Sequence, residues 1–194
     1  HGELAYAWVD ALRTADVSEV PALLPDFKKF RTDATPILRG LVQDETTEPR
    51  TQLNASLALL QNDLTQEDDL LNRALNASPD ELLLIRNAFS AVEIRPSTVL
   101  WKVVDDPNVA NPEKFNALCM LANADPQNSR WQTLGPFLAE QLVTQTSLSF
   151  ALKWSDVLTP VQQWIIEPLA AVFHNADSTD TQRTVSVSIL TNYG

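Results

Sequence analysis

Apolar residues recur at steps of three and four positions along most of this chain. Between residues 18 and 31 they are Val20, Leu23, Leu24, Phe27 and Phe30. This spacing places them on one face of an α-helix, whereas a half-buried strand would alternate at every second residue. The spacing returns in successive segments up to residue 173, and it predicts an all-α chain of about eleven helices. Residues 185–190 alternate enough to suggest a strand, but their place in the repeat described below favours a helix.

Capping residues and prolines mark where the helices begin. Residues 78–81, Ser-Pro-Asp-Glu, have the form of a capping box with proline at the first helical position. Residues 159–162 and 179–182 begin in the same way. Three further prolines precede apolar runs, where a missing N–H is harmless, and they are Pro49, Pro96 and Pro112. The connections between helices are short enough to force antiparallel neighbours, so the sequence predicts helical hairpins.

An internal repeat indicates how these hairpins are arranged. Three stretches of 26 residues align without a gap, at residues 38–63, 100–125 and 169–194. Each reads as a short helix, a polar turn and a longer helix. The aligned residues that we expect to be buried together are Leu38, Leu100 and Leu169, then Leu59, Leu121 and Leu190, and in the preceding helix Phe27, Phe89 and Leu158. A hairpin of this size cannot bury its apolar face alone. We therefore predict an α-solenoid of antiparallel hairpins, HEAT-like or armadillo-like, that forms a single domain over residues 1–194.

Several phrases of the sequence resemble a known family. They are LRTADVSEVP at 12–21, RTQLNASLALL at 50–60, LANADP at 121–126, SRW at 129–131 and SILTNY at 188–193. Together they resemble the helical, HEAT-like region of large planctomycete multidomain proteins. In those proteins a serine/threonine protein kinase domain precedes this region, and a formylglycine-generating, sulfatase-modifying type domain often follows it. The resemblance covers nearly the whole chain and implies a helical module excised from a larger protein. It carries over no catalytic residue, since the chain lacks the kinase glycine-rich loop and the His-Arg-Asp and Asp-Phe-Gly motifs.

The charge of the chain narrows the class of partner. Asp and Glu number 25 against 14 Lys and Arg, which gives a formal net charge of −11. Nucleic acids and anionic membranes attract clustered cations, so neither is expected as a partner. No apolar run reaches the roughly 20 residues that cross a bilayer, and no signal peptide opens the sequence. We expect a cytoplasmic monomer or weak dimer whose partner is a protein or peptide.

Residues able to carry catalysis or bind a metal are scarce. One cysteine and two histidines are too few for a zinc site. His174 falls at the end of a predicted short helix, where a cation suits the helix dipole, and Cys119 falls on a predicted buried face. The acidic groups at 67–69, 80–81 and 105–106 lie at predicted helix starts or turns. The sequence therefore predicts no catalytic residue, no metal site, no cofactor and no enzyme.

One set of aligned polar residues is a candidate binding surface. Gln52, Lys114 and Arg183 occupy the same position on the three longer helices, which usually line the inner surface of HEAT-type stacks. Such a row would seat an acidic or phosphorylated peptide, and the alternative is a solvated helix face. Trp101 is a weaker binding candidate, because its aligned positions hold Arg39 and Ala170. The alternative for Trp101 is packing between repeats.

These observations favour a non-catalytic protein–protein interaction or scaffold module of a larger signalling protein. Solenoids present extended surfaces to partner proteins. Two alternatives remain open at this point. The first is a rigid spacer between catalytic domains, and the second is an uncharacterised all-α enzyme.

Overall fold

The computed structural model describes residues 2–194, which contain twelve α-helices, three short 3₁₀ helices and no strand. The α-helices are α1 (Gly2–Thr14), α2 (Val20–Leu23), α3 (Phe27–Gln43), α4 (Pro49–Leu60), α5 (Glu67–Ala74), α6 (Pro79–Ala91), α7 (Ser97–Asp105), α8 (Asn111–Ala124), α9 (Trp131–Val143), α10 (Leu148–Val157), α11 (Ile166–His174) and α12 (Asp180–Tyr193). The 3₁₀ helices are Leu24–Asp26, Leu64–Gln66 and Thr159–Trp164. The prediction of an all-α chain is confirmed, and residues 185–190 lie within α12.

The chain divides into two compact units. The first unit contains residues up to 74 together with 84–94, and the second contains 75–83 together with 95–194. Helix α6 is shared, since its first half belongs to the second unit and its second half to the first. The single domain over residues 1–194 and the solenoid arrangement of hairpins stay predictions.

The first unit is built around α4, which is buried along residues 53–60. A helix that is covered on every side is mostly apolar all round, and α4 is rich in Leu and Ala, with the buried Asn54 and Ser56 as polar exceptions. Helices α1 and α3 pack against it and against each other. The ring of Trp8 on α1 stacks on Phe27 of α3, with 5.7 Å between ring centroids.

The second unit is built around α8, which is buried along residues 115–122. Phe115 meets Trp154 of α10 edge to face, with 5.2 Å between ring centroids. Helix α9 approaches the 3₁₀ helix Thr159–Trp164 so closely that only a glycine fits at position 135. A Cβ atom on Gly135 would lie 2.1 Å from the backbone oxygen of Trp164.

The three aligned segments fall on three hairpins, namely α3–α4, α7–α8 and α11–α12. The first leucine of each segment, Leu38, Leu100 or Leu169, is at most 1% exposed. Leu59 and Leu121 are buried as well, whereas Leu190 is half-buried.

Two buried asparagines occupy the same aligned position and make the same hydrogen bond. Asn54 donates through Nδ2 to the carbonyl of Ala15 at 3.2 Å, and Asn116 donates to the carbonyl of Ala77 at 3.0 Å. Each amide thereby satisfies a carbonyl just beyond a preceding helix, where helical partners are lacking. The third segment has the apolar Val185 at this position, and it is also buried.

Candidate functional site

Two of the predicted binding residues are engaged within their own hairpins. Gln52 donates through Nε2 to the carbonyl oxygen of Asp44 at 3.0 Å. Arg183 donates to the carbonyl oxygens of Asn175 and Ala176 at 3.0 and 3.1 Å. Asp44 and Asn175 occupy the same aligned position, directly after the first helix of each hairpin. Both side chains therefore tie the second helix of a hairpin to the turn that precedes it. The predicted order of a short and then a longer helix is wrong for the first hairpin, where α3 has 17 residues and α4 has 12.

The predicted row of Gln52, Lys114 and Arg183 is distributed over both units. Gln52 belongs to the first unit, while Lys114 and Arg183 belong to the second, on α8 and α12 respectively. All three side chains are half-buried. A continuous binding row formed by these residues stays a prediction.

Trp101 is held by three neighbours in the second unit. Its indole Nε1 donates to Oδ2 of Asp125 at 2.8 Å. Its ring lies 5.6 Å from the ring of Trp131, and the guanidinium carbon of Arg130 lies 4.2 Å from the Trp101 ring centroid. The last distance is that of a cation–π contact. These contacts hold the half-buried tryptophan in place, and a binding role for it stays a prediction.

Further polar contacts fix the connection between α8 and α9 around Trp101. Arg130 forms a two-pronged ion pair with Asp105 of α7. The indole of Trp131 donates to the backbone oxygen of Asp125 at 2.8 Å, and the side-chain amide of Asn128 donates to the Asp125 carboxylate at 2.8 Å. Trp131 is fully buried, so this connection is packed into the core of the second unit.

The first hairpin makes the corresponding contact with a different donor. Arg39, aligned with Trp101, donates to Oδ2 of Asp63 at 2.9 Å, and Asp63 is aligned with Asp125. Hydrogen bonds from Thr65 and Arg39 hold the pKa of the Asp63 carboxyl below its usual range. In the third segment these two positions are Ala170 and Gly194, which offer neither donor nor carboxylate.

An apolar groove of about 420 Å³ lies in the first unit. Its walls are the α2 region and the second half of α6, and the end of α4 also contributes. The lining residues are Pro21, Leu24, Pro25, Leu57, Leu60, Gln61, Leu84, Asn87, Ala88, Ala91 and Val92. None of them carries a formal charge. No periodic pattern in the sequence indicates this groove, although Pro21 and Pro25 on either side of Leu24 are typical of an irregular turn.

The side chains whose chemistry is most suited to catalysis differ in their exposure to solvent. His174 is exposed at the end of α11, where its ring meets Phe173 edge to face at 5.1 Å. Cys119 is fully buried on α8. Burial also raises the pKa of Tyr193, whose hydroxyl donates to the carbonyl of Ser155 at 2.8 Å. Within residues 2–194, no group of three or more His, Cys, Asp or Glu side chains is placed to hold a metal ion.

Comparison with known proteins finds no family model, no curated protein and no solved structure that matches this chain. The resemblance to a kinase-associated helical region thus remains a sequence-based expectation. No helix within residues 2–194 is long and apolar enough to cross a membrane.

Proposed function

We propose that this chain is a non-catalytic module that binds or positions another protein within a larger signalling protein. The observation that carries the proposal is the apolar groove of the first unit. Ligand sites in proteins are concave and mostly apolar, with few polar groups, and the lining of this groove has that composition. In the proposal the hairpins belong to a HEAT-like or armadillo-like solenoid, whose concave surfaces commonly receive partners.

The composition of the groove identifies what it would accept. Leu57, Leu60 and Leu84 are buried beneath it, while Pro21 and Pro25 are exposed at its edge. Because no lining residue is charged, a charged occupant would lose hydration without gaining a partner. The expected occupant is an apolar segment of a protein. Asn87 is the exposed polar residue of the lining that would orient its backbone, whereas the amide of Gln61 already donates to the carbonyl oxygen of Leu24 at 2.8 Å.

The groove favours an interaction module over the two alternatives. A rigid spacer needs no exposed apolar groove, and exposed apolar surface carries an aggregation risk that a spacer would avoid. An enzyme needs an acid, base or nucleophile beside its pocket. The groove lining includes no Asp, Glu, His, Cys, Ser, Thr, Lys or Tyr side chain.

Display of random peptides on phage tests the proposal. Peptides selected on the chain are measured against two variants of α6. Ala88→Arg introduces a charge into the groove lining, and Ser90→Arg introduces the same side chain at an exposed position outside it. Circular dichroism and urea denaturation of both variants establish that they are folded.

We expect the selected peptides to be rich in apolar residues and to bind Ala88→Arg at least tenfold more weakly than Ser90→Arg, because a partly buried, unpaired guanidinium costs well over about 1 kcal/mol. Two results would contradict the proposal. One is selection that enriches no peptide above an unrelated control protein, as a spacer would give. The other is enriched peptides that bind both variants equally.

A further inference from the structure

Each unit contains a cleft, and aligned positions of the sequence line the two clefts. The first turn cleft, of about 1030 Å³, lies between α1 and the turn of the α3–α4 hairpin. The second turn cleft, of about 450 Å³, lies between α9 and the turn of the α11–α12 hairpin. Five aligned pairs line both, namely Leu41 and Val172, Asp44 and Asn175, Thr46 and Asp177, Thr47 and Ser178, and Thr51 and Gln182. The hairpin side of each cleft is therefore built on the same framework.

The first turn cleft contains charges of both signs. Its acidic residues are Asp10, Asp44 and Glu48, and its basic residues are Arg13 and Arg50. Arg13 lies 3.5 Å from the carboxylate of Asp10. The acidic charge of this cleft is thus partly neutralised by its own lining.

The lining of the second turn cleft includes acidic side chains and no basic side chain. Glu140 and Asp177 are exposed at its edge. Its apolar walls are formed by Pro136, Ala139, Val143, Pro168, Ala171 and Val172. Arg183 lies near the same turn, but it is not part of the lining, and its guanidinium donates to the carbonyls of Asn175 and Ala176.

We infer that the second turn cleft binds a segment of a partner protein in which arginine or lysine stands next to apolar side chains. Long basic side chains place their aliphatic stems on apolar surface and keep the charged end near water. The walls of this cleft would receive the stem and the apolar neighbour, while Glu140 and Asp177 would pair with the charged end. Charge complementarity of this kind selects the partner.

This inference depends on the proposed function only in that the partner is a protein. The site, the chemistry of the occupant and the lining residues differ from those of the apolar groove. The two proposals can therefore fail separately.

Fluorescence anisotropy with a labelled peptide of sequence Leu-Arg-Val-Arg-Leu tests the inference on the full chain. The control peptide has citrulline in place of both arginines. Two double variants remove the same number of charges. Glu140→Gln with Asp177→Asn changes the second turn cleft, and Asp10→Asn with Glu48→Gln changes the first.

We expect the first double variant to bind about tenfold more weakly, since each exposed ion pair contributes about threefold to the affinity. The second double variant should bind within about twofold of the unchanged chain. Binding should weaken as salt rises, because salt screens exposed charges. Ala171→Arg, which introduces a cation at an exposed wall position, should prevent binding.

Three results would overturn the inference. Equal loss in both double variants would indicate general attraction to an acidic protein. Equal binding of the citrulline peptide would remove the role of the positive charge. Absence of binding by the unchanged chain at millimolar peptide would show that the cleft does not accept such segments. Ala88→Arg in the apolar groove should leave peptide binding at the cleft unchanged, which separates this test from that of the proposed function.

Discussion

Gly135 provides a sharp test of how α9 packs in the second unit. An added Cβ atom at this position would lie 2.1 Å from the backbone oxygen of Trp164 and 3.3 Å from the ring of Pro168. A carbon and an oxygen in contact normally stand about 3.3 Å apart. Gly135→Ala therefore requires α9 and the 3₁₀ helix Thr159–Trp164 to separate by about 1 Å. A backbone oxygen cannot rotate out of the way as a side chain can.

The expected change in stability combines two opposing effects. Overpacking a buried site costs about 1–3 kcal/mol, whereas alanine in place of glycine inside a helix contributes about 1 kcal/mol of stability. Since the overlap at Gly135 is severe and involves backbone, we expect Gly135→Ala to lower the free energy of unfolding by about 1–2 kcal/mol. Gly40, inside α3, is the matched control, because an added Cβ would meet nothing within 4 Å. Gly40→Ala should raise the free energy of unfolding by about 0.5–1 kcal/mol.

Urea denaturation followed by circular dichroism measures both variants, and equal slopes confirm that the midpoints can be compared. The two substitutions, Gly135→Ala and Gly40→Ala, should change the free energy of unfolding in opposite directions. If Gly135→Ala stabilised the chain as Gly40→Ala does, α9 would not approach residues 159–164 as described.

Three further predictions use the same measurement. Glu93 has a left-handed φ of 59°, so Glu93→Gly should stabilise the chain by about 0.5–1 kcal/mol and Glu93→Ala should not. Phe89 is 2% exposed, so Phe89→Ala should cost about 3–5 kcal/mol, against at most about 0.5 kcal/mol for the half-buried Lys114→Ala. The pKa of Asp63 lies below its usual range, so its carboxylate stabilises the fold near neutral pH and loses this effect as the pH falls through that pKa. Asp63→Asn should flatten the decline in stability toward acid pH.

Local signals in the sequence were sufficient to predict the helices and many of their ends. The capping box at residues 179–182 is present, with Thr179 accepting from the backbone of Gln182 and the Gln182 side chain accepting in return. Pro49 begins α4 as the sequence indicated. The helix start expected at 159–162 is instead a 3₁₀ helix, Thr159–Trp164. These features depend on residues a few positions apart, which is why sequence patterns capture them.

The grooves are formed by residues that lie far apart in the sequence, so local sequence patterns do not predict them. Leu24 and Ala88 line the same apolar groove although 64 positions separate them in the sequence. Trp101 finds its hydrogen-bond partner Asp125 24 residues later. The alignment placed Trp101 at a variable position, but it did not indicate that a second tryptophan and an arginine would cover it. Tertiary packing decides which exposed residues converge, and the sequence alone did not reveal it.

Comparison of the aligned segments distinguishes the side chains that stabilise a hairpin from the side chains that could contact a partner. Arg39 with Asp63, and Trp101 with Asp125, join the same two positions with different donors. Two of the three segments thus make the same contact with different donors, so this contact contributes to the stability of the hairpin. The turn clefts show the opposite behaviour, because their aligned framework is shared while their charges differ. Charged side chains that vary on a constant framework are where an interaction module would encode its choice of partner. We therefore expect substitutions of the exposed Glu140 and Asp177 to change binding without changing stability, and substitutions of Trp101 to lower stability.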